Sequence, residues 1–243
     1  MSNRFSSYFK KKLIGKKNNL VSMEEPYEVM KRLLKGLKIT DVVDAGASNG
    51  RISRRLLRKF PSASVYGFEP NPLYRETLRQ FAADNPRFLP QFMALSDHEG
   101  LVDLHITESP GSTSLFEPGK HLKDLDPKGA EVKHIEKVKV VTLDNWAAKS
   151  GNIDVQVIKF DIQGGELLAL RGGTGLLRTS ILLIYTEVLF NPLYENGAIF
   201  YEIDRFLRKF EFILYDIYRP KYKPNGLLMW GSALFLKAKK LNL

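Results

Sequence analysis

The sequence predicts an α/β fold with a central parallel sheet, and two observations carry that prediction. The first is the stretch 41–69, DVVDAGASNGRISRRLLRKFPSASVYGFE, which reads as strand, glycine turn, helix, strand and terminal acid. The second is the later alternation of short apolar strands with helical periodicity, ending at Tyr185 and Phe160 among others. In the first stretch the run Val42-Val43 leads through Asp44 and Ala45 into Gly46-Ala47-Ser48-Asn49-Gly50, and a helical pattern starts at once. A turn free of bulk lets backbone N–H groups at a helix start approach a ligand closely. The second strand ends in Glu69, 25 positions after Asp44. An acid there can bond both hydroxyls of a ribose, so these parts describe a nucleoside-binding crossover.

The turn lacks the G-x-G-x-x-G pattern of a dinucleotide site and the GK[ST] ending of a phosphate loop. Asp44 just before it would repel pyrophosphate and attract a cation. S-adenosylmethionine, with an ammonium and a sulfonium, therefore fits better than NAD. A purely structural crossover is the alternative, because an acid at this distance also arises by chance.

Length and composition narrow the class. A chain of 243 residues suffices for one α/β domain with a substantial core. Its 44% hydrophobic and 26% charged content is that of a globular chain. No apolar run reaches the roughly 20 residues of a membrane span, and the basic start has no long apolar core, so no secretory signal is expected. Cysteine is absent, which excludes disulfides, thiolate metal sites and a cysteine nucleophile. A cytoplasmic protein is the expectation. Six of the net +10 charges (Arg4, Lys10, Lys11, Lys12, Lys16, Lys17) precede the first acid, Glu24. Phe5, Tyr8, Phe9 and Leu13 fall among them near helical spacing, a pattern that can lie on the anionic inner membrane surface. A solvated terminus is the bland alternative. Residues 1–23 are thus set apart as a basic tail, and residues 24–243 as one domain.

In chain order, residues 24–37 predict a leading helix with Val29, Met30, Leu33, Leu34 and Leu37 on one face. Residues 70–83 predict a second crossover helix with Leu73, Leu78 and Phe81 inward, broken at Asn85-Pro86. Residues 87–95 read as the third strand, delivering Ala94-Leu95-Ser96-Asp97 to the ligand edge. Ala94 and Leu95 can face an adenine there, with Ser96 or Asp97 at its polar edge, unless the Ser-Asp pair only forms a turn. Residues 100–143 read as a strand-and-loop insertion at that edge, where substrate contacts concentrate; residues 119–136 can instead be a solvated linker. Asp144 is expected to cap a helix through Ala148. A buried strand, 155–160, interrupted by Lys159, then ends in Asp161-Ile162-Gln163-Gly164-Gly165-Glu166. A helix to about Leu170, a strand 181–185 ending Thr186-Glu187, a helix 200–209 and strands 212–218 and 229–236 complete the chain. No internal repeat is expected; the tetrapeptide NPLY at Asn71 and Asn191 has different surroundings.

Four stretches, VVDAGASNG with YGFEPNP, FMALSDHEG, VTLDNW with VIKFDIQGGELLALRGG, and LLIYTEVLFNPLYE, resemble the FkbM-type methyltransferases over about residues 41–236. The resemblance implies the class I, Rossmann-like fold: a seven-stranded, mostly parallel sheet with its last strand antiparallel and helices on both faces. It also implies S-adenosylmethionine as methyl donor, held by Asp44, Gly46, Ala47, Ser48, Asn49, Gly50, Glu69, Pro70, Ala94, Leu95, Ser96 and Asp161. The implied reaction is O-methylation of a sugar, a glycan or a related natural product. Gln163 stands where the family often carries glutamate.

Methyl transfer needs in-line placement, and a hydroxyl acceptor also needs its proton removed. Asp161 and Glu187, at the exits of neighbouring central strands, are the candidate catalytic acids. Lys159 can point inward and pair with Asp161, and Glu166 can orient Asp161 or the cofactor. Each acid can alternatively be a helix cap or a structural ion pair. His98, His105, His121 and His134 show no metal spacing and read as surface residues, so no metal ligands are assigned. Two rivals remain. Asn191-Pro192-Leu193-Tyr194 resembles the NPPY element of nucleic-acid methyltransferases but follows the wrong strand, so nucleic acid is not the expected acceptor. A non-catalytic binding module retaining the fold is the other.

Overall fold

The computed structural model describes residues 24–241, so the basic tail and its membrane reading lie outside the described residues. A helix, α1 (Pro26–Leu33), opens it, shorter than the expected 24–37. The Glu25 carboxylate caps it by accepting from the N–H of Tyr27 and Glu28 at 3.1 and 3.2 Å, and Pro26 sits in its first turn. Gly36, in the left-handed region at φ +88°, follows its end, and Leu37 is exposed rather than on the inner face.

Next come β1 (Asp41–Ala45), α2 (Arg51–Lys59), β2 (Ser64–Phe68), a 3₁₀ turn at Pro72–Tyr74, α3 (Arg75–Asp84) and β3 (Phe88–Gln91). The expected 70–83 helix is therefore two pieces. The Asn71 side chain caps the 3₁₀ turn through the Leu73 N–H, which leaves Leu73 exposed while Leu78 and Phe81 are buried. The expected third strand also divides. β3 is an edge strand of the main sheet, where Pro90 is tolerated, whereas β4 (Ala94–Leu95) joins a second sheet.

That second, three-stranded sheet has the order β4-β6-β5, built from β4, β5 (Gly100–Thr107) and β6 (Val132–Val141). Residues 119–136 are no linker: α4 (Lys120–Leu125) and α5 (Pro127–Ala130) occupy them and lead into β6. Then follow α6 (Leu143–Lys149), β7 (Val157–Phe160), α7 (Glu166–Arg171), α8 (Thr174–Thr179), β8 (Leu183–Leu189), α9 (Phe200–Arg208), β9 (Phe212–Tyr222), β10 (Leu228–Lys237) and α10 (Ala238–Leu241). Asp144 does not cap α6. Thr142 does, through the Asn145 N–H. The Asp144 carboxylate instead accepts from the N–H of Gly175 and Leu176 at 2.7 and 3.0 Å, at the start of α8.

The main sheet has the order β3-β2-β1-β7-β8-β10-β9, with β10 antiparallel to both neighbours and the other pairs parallel. This is the seven-stranded class I methyltransferase arrangement. Alternate residues feed opposite faces. Val43, Ile158 and Ile184 face a core shared with α6, α7, α8 and α9. Val42, Val157 and Leu183 face one shared with α1, α2 and α3. Both faces are covered, which is why these strands read as continuous apolar runs. The order reverses between β1 and β7, so their carboxyl ends open a crevice there.

Candidate functional site

A cleft of about 300 Å³ lies at that crevice. Its floor is the glycine turn after β1. Gly46 has φ +79°, and a Cβ there would stand 1.9 Å from the Asp161 carbonyl oxygen, so the turn and the β7 exit can approach only with glycine at that position. The turn is anchored to β2 by the N–H groups of Gly46 and Ala47, both donating to Phe68 O at 3.0 Å. Ser48 takes a left-handed φ of +50°, which presents its N–H to Glu69 Oε2 at 2.8 Å. Glu69 Oε1 accepts from the Asn71 N–H at 2.9 Å. Burial pushes the Glu69 carboxyl above its usual range, and these two N–H bonds oppose the shift.

Of the sequence-predicted residues, Gly46, Ala47, Ser48, Asn49, Glu69, Pro70, Ala94, Leu95 and Asp161 line the cleft. Four do not. Gly50 turns inward toward Phe81 and Leu78 at the start of α2. Ser96 is buried, its hydroxyl near Asp97 and His98, and Asp97 itself pairs with the His98 ring at 2.8 Å. Asp44 is fully buried. Its Oδ2 accepts from the Ser53 hydroxyl at 2.6 Å and its Oδ1 lies 3.0 Å from Lys159 Nζ, so its charge is met inside the protein. Glu187 is the fourth. It lies within β8, not at the strand exit expected from the sequence, and its Oε2 accepts from Gln163 Nε2.

Lys159 does point inward, but its closer partner is Asp44. Asp161 Oδ2 is 3.9 Å away, and Nζ donates to the Gly46 carbonyl at 3.0 Å. Burial alone would depress the ammonium's pKa; the Asp44 and Asp161 charges outweigh it and raise the pKa. Glu166, also buried, does not touch Asp161. Its carboxylate accepts from the N–H groups of Ile162 and Gly164, both at 2.9 Å, and so holds the turn that carries Asp161 and Gln163.

From the sequence, Gln163 is marked only as standing where the family often carries glutamate, and Tyr194 only as part of an NPPY-like element; the structure brings the two together. Gln163, at a left-handed φ of +56°, donates from Nε2 to Asp161 Oδ1 at 2.7 Å and to Glu187 Oε2 at 3.0 Å. Its Oε1 accepts from the buried Tyr194 hydroxyl at 2.6 Å, which fixes the amide orientation. One amide thus bridges two acids. Asp161 has 46% of its side chain exposed and faces the cleft. Burial, with the Asp161 and Glu166 charges behind it, holds Glu187 well above the ordinary carboxylate range. Tyr194 belongs to the second NPLY, whose Asn191 Nδ2 donates to the Leu228 carbonyl instead of facing the cleft. The insertion frames this corner: Ser114 Oγ donates to Gln163 O at 2.7 Å, and Gly119 N–H to Leu193 O at 2.8 Å. Pro110, Gly111, Thr113, Ser114 and Leu115 supply the wall opposite β1. None of the four histidines lines the cleft. Among the described residues no group of His, Cys, Asp and Glu is disposed to hold a metal ion.

The family model described as "Methyltransferase FkbM domain" matches residues 44–214. The 2-O-methyltransferase NoeI of Sinorhizobium fredii is 29% identical over 181 residues, which cover 71% of this chain and 72% of that one. Methyltransferase 1 of Beauveria bassiana is 26% identical over 142 residues, 54% of this chain and 57% of that one. Among solved structures, an rRNA methylase from Streptococcus thermophilus superposes with a TM-score of 0.45 at 12% identity, covering 88% of this chain and 98% of that one.

Proposed function

The chain belongs to the FkbM methyltransferase family, with S-adenosylmethionine as methyl donor, and on that premise we propose that it methylates a hydroxyl of a sugar or glycan. The observation that carries the reading is the placement of one exposed carboxylate, Asp161, on the same cleft as the ribose-type acid Glu69. The name of the Sinorhizobium relative, a 2-O-methyltransferase, supports a hydroxyl acceptor.

The walls suit the donor. Glu69 is an acceptor for ribose hydroxyls at the end of β2, Ala94, Leu95 and Leu104 offer apolar surface for adenine, and Gly46 leaves room over the turn. When bound, S-adenosylmethionine supplies a methyl carbon on a sulfonium, whose C–S bond breaks as the acceptor oxygen forms the new C–O bond. Asp161 takes the hydroxyl proton. Gln163 aims Asp161 through the 2.7 Å bond, and Tyr194 aims Gln163. Glu187 is a positioning group behind that amide, not the base. Lys159 links the donor side to the base side by touching both the Gly46 carbonyl and Asp161. The acceptor enters beside the insertion loop 110–115.

The test is incubation with methyl-labelled S-adenosylmethionine and a fractionated cell extract. Label recovered as an alkali-stable ether in the carbohydrate fraction supports the reading; label confined to nucleic acid or protein overturns it.

A further inference from the structure

The rim of the cleft beside the glycine turn carries a cationic face that the reaction leaves unused. Helix α2 holds five cations and no acid. Two of them, Arg55 and Lys59, are matched by Glu25 and Glu28. Arg51 and Arg54 are exposed, and among the described residues neither has a carboxylate partner. Helix α3, whose Leu78 and Phe81 pack against the start of α2, adds the exposed Arg75 and Arg79. Of these two only Arg79 meets an acid, Glu76, at 4.0 Å. Stacking holds three of the heads instead: Arg54 Cζ lies 4.0 Å over the Phe81 ring, and those of Arg75 and Arg79 lie 5.4 and 5.5 Å from the Phe92 centroid. A guanidinium resting on a ring keeps its charge and its N–H donors for an anion.

Leu73 stands at the head of α3 and is 62% exposed, although Asn71 and Tyr74 on either side of it line the cleft, as does Arg51. A lone exposed leucine is ordinary. One at the mouth of a ligand cleft, flanked by arginines in excess of acid, matches a lipid interface: the apolar side chain enters the acyl boundary and the cations meet headgroup phosphates. We propose that this rim, Leu73 with Arg51, Arg54, Arg75 and Arg79, docks on an anionic lipid surface and turns the mouth of the cleft toward the bilayer. Nucleic acid would match the arginines too, but leucine has no flat face to stack on a base, so it would leave Leu73 in water. The surface is separate from the basic residues before Glu24 and is read by its own signal.

The test needs no methyl transfer. The chain has no cysteine, so Leu73→Cys in the full chain takes a single environment-sensitive dye. Tyr201→Cys, at an exposed position on α9 against the opposite face of the sheet, is the control. Phosphatidylserine-containing vesicles should shift the dye at position 73 to an apolar emission and leave the dye at 201 unchanged; pure phosphatidylcholine vesicles should shift neither. In the unlabelled full chain, Arg75→Gln with Arg79→Gln should lower partition onto the anionic vesicles roughly 10- to 30-fold. A chain that binds these vesicles while the dye at 73 stays in water docks through another surface and overturns the proposal. So does an equal shift at both positions, unchanged partition of the double variant, or failure to bind the vesicles at all. Binding of an RNA duplex that depends on Arg75 and Arg79, with no response at 73 to lipid, overturns it in favour of nucleic acid.

Discussion

Asp44 and Lys159 face each other across the β1–β7 register, with Oδ1 and Nζ 3.0 Å apart and both side chains out of water. The pair lies directly beneath the glycine turn, because Nζ also donates to the Gly46 carbonyl. Removing one partner of a buried pair strands the other charge. Lys159→Met is expected to cost about 3–5 kcal/mol of stability by denaturant unfolding. Adding Asp44→Asn to it should recover a large part. A loss below about 1 kcal/mol, within the range of an exposed pair, would contradict a structural role for this contact.

Glu69 is the acid that ties the turn to the cofactor. Glu69→Gln keeps its shape but supplies one full acceptor oxygen where two N–H groups, of Ser48 and Asn71, now bond. Affinity for S-adenosylhomocysteine should fall by about 1.5–3 kcal/mol, the range for hydrogen bonds to a charged group. Calorimetry giving wild-type affinity for a folded variant would remove Glu69 from the site.

The Glu166 carboxyl is pushed up to about 7 from an ordinary 4.5, chiefly by burial. The folded state therefore holds this proton more tightly than the unfolded chain. Its contribution to stability is complete below about pH 4.5 and is lost as pH rises through about 7. Glu166→Gln has no such titration, and it leaves one of the Ile162 and Gly164 N–H groups without an acceptor, at about 1–3 kcal/mol. Wild-type stability relative to this variant should decline from pH 4.5 to 7.5 in urea melts. A difference that is flat or rises over that interval would refute the assignment.

We propose that the lysines and aromatics before Glu24 dock the chain reversibly on anionic lipid, at roughly 1 kcal/mol per basic residue near the surface. Flotation with phosphatidylserine-containing vesicles compares the full chain with a variant lacking residues 1–17. The full chain should float and the truncated one should not; equal behaviour of the two removes the tail from membrane binding.

The parts of the site that were legible in the sequence are local ones. The glycine turn and Glu69 follow from one strand-turn-helix-strand stretch, and Asp161 from the exit of a buried strand. The pairing of Asp44 with Lys159 was not legible, because it depends on a register between strands more than a hundred positions apart. An acid before a glycine turn looks available to a ligand until its cross-strand neighbour is known. The bridging role of Gln163 was not legible for a similar reason. A neutral side chain gives no charge signal, and its three partners come from the exit of β7, the interior of β8 and a distant loop. Asp144 and the divided third strand show the limits of local propensity. Thr142 and Asp144 are both acceptable caps, and only the approach of α8 decides between them. Nothing in residues 87–95 marks the point where the chain leaves one sheet for another.

In the proposed reaction Asp161 takes the acceptor's proton, and Asp161→Asn probes that role, since asparagine keeps the shape and loses the charge. The measurement is transfer of labelled methyl to the wild-type acceptor fraction, with S-adenosylhomocysteine affinity read on the same preparation. The rate should fall by roughly 10²–10⁴, the share of a general base. Affinity should change far less, because Glu69 and the glycine turn supply that grip. Near-normal turnover by the asparagine variant would contradict it.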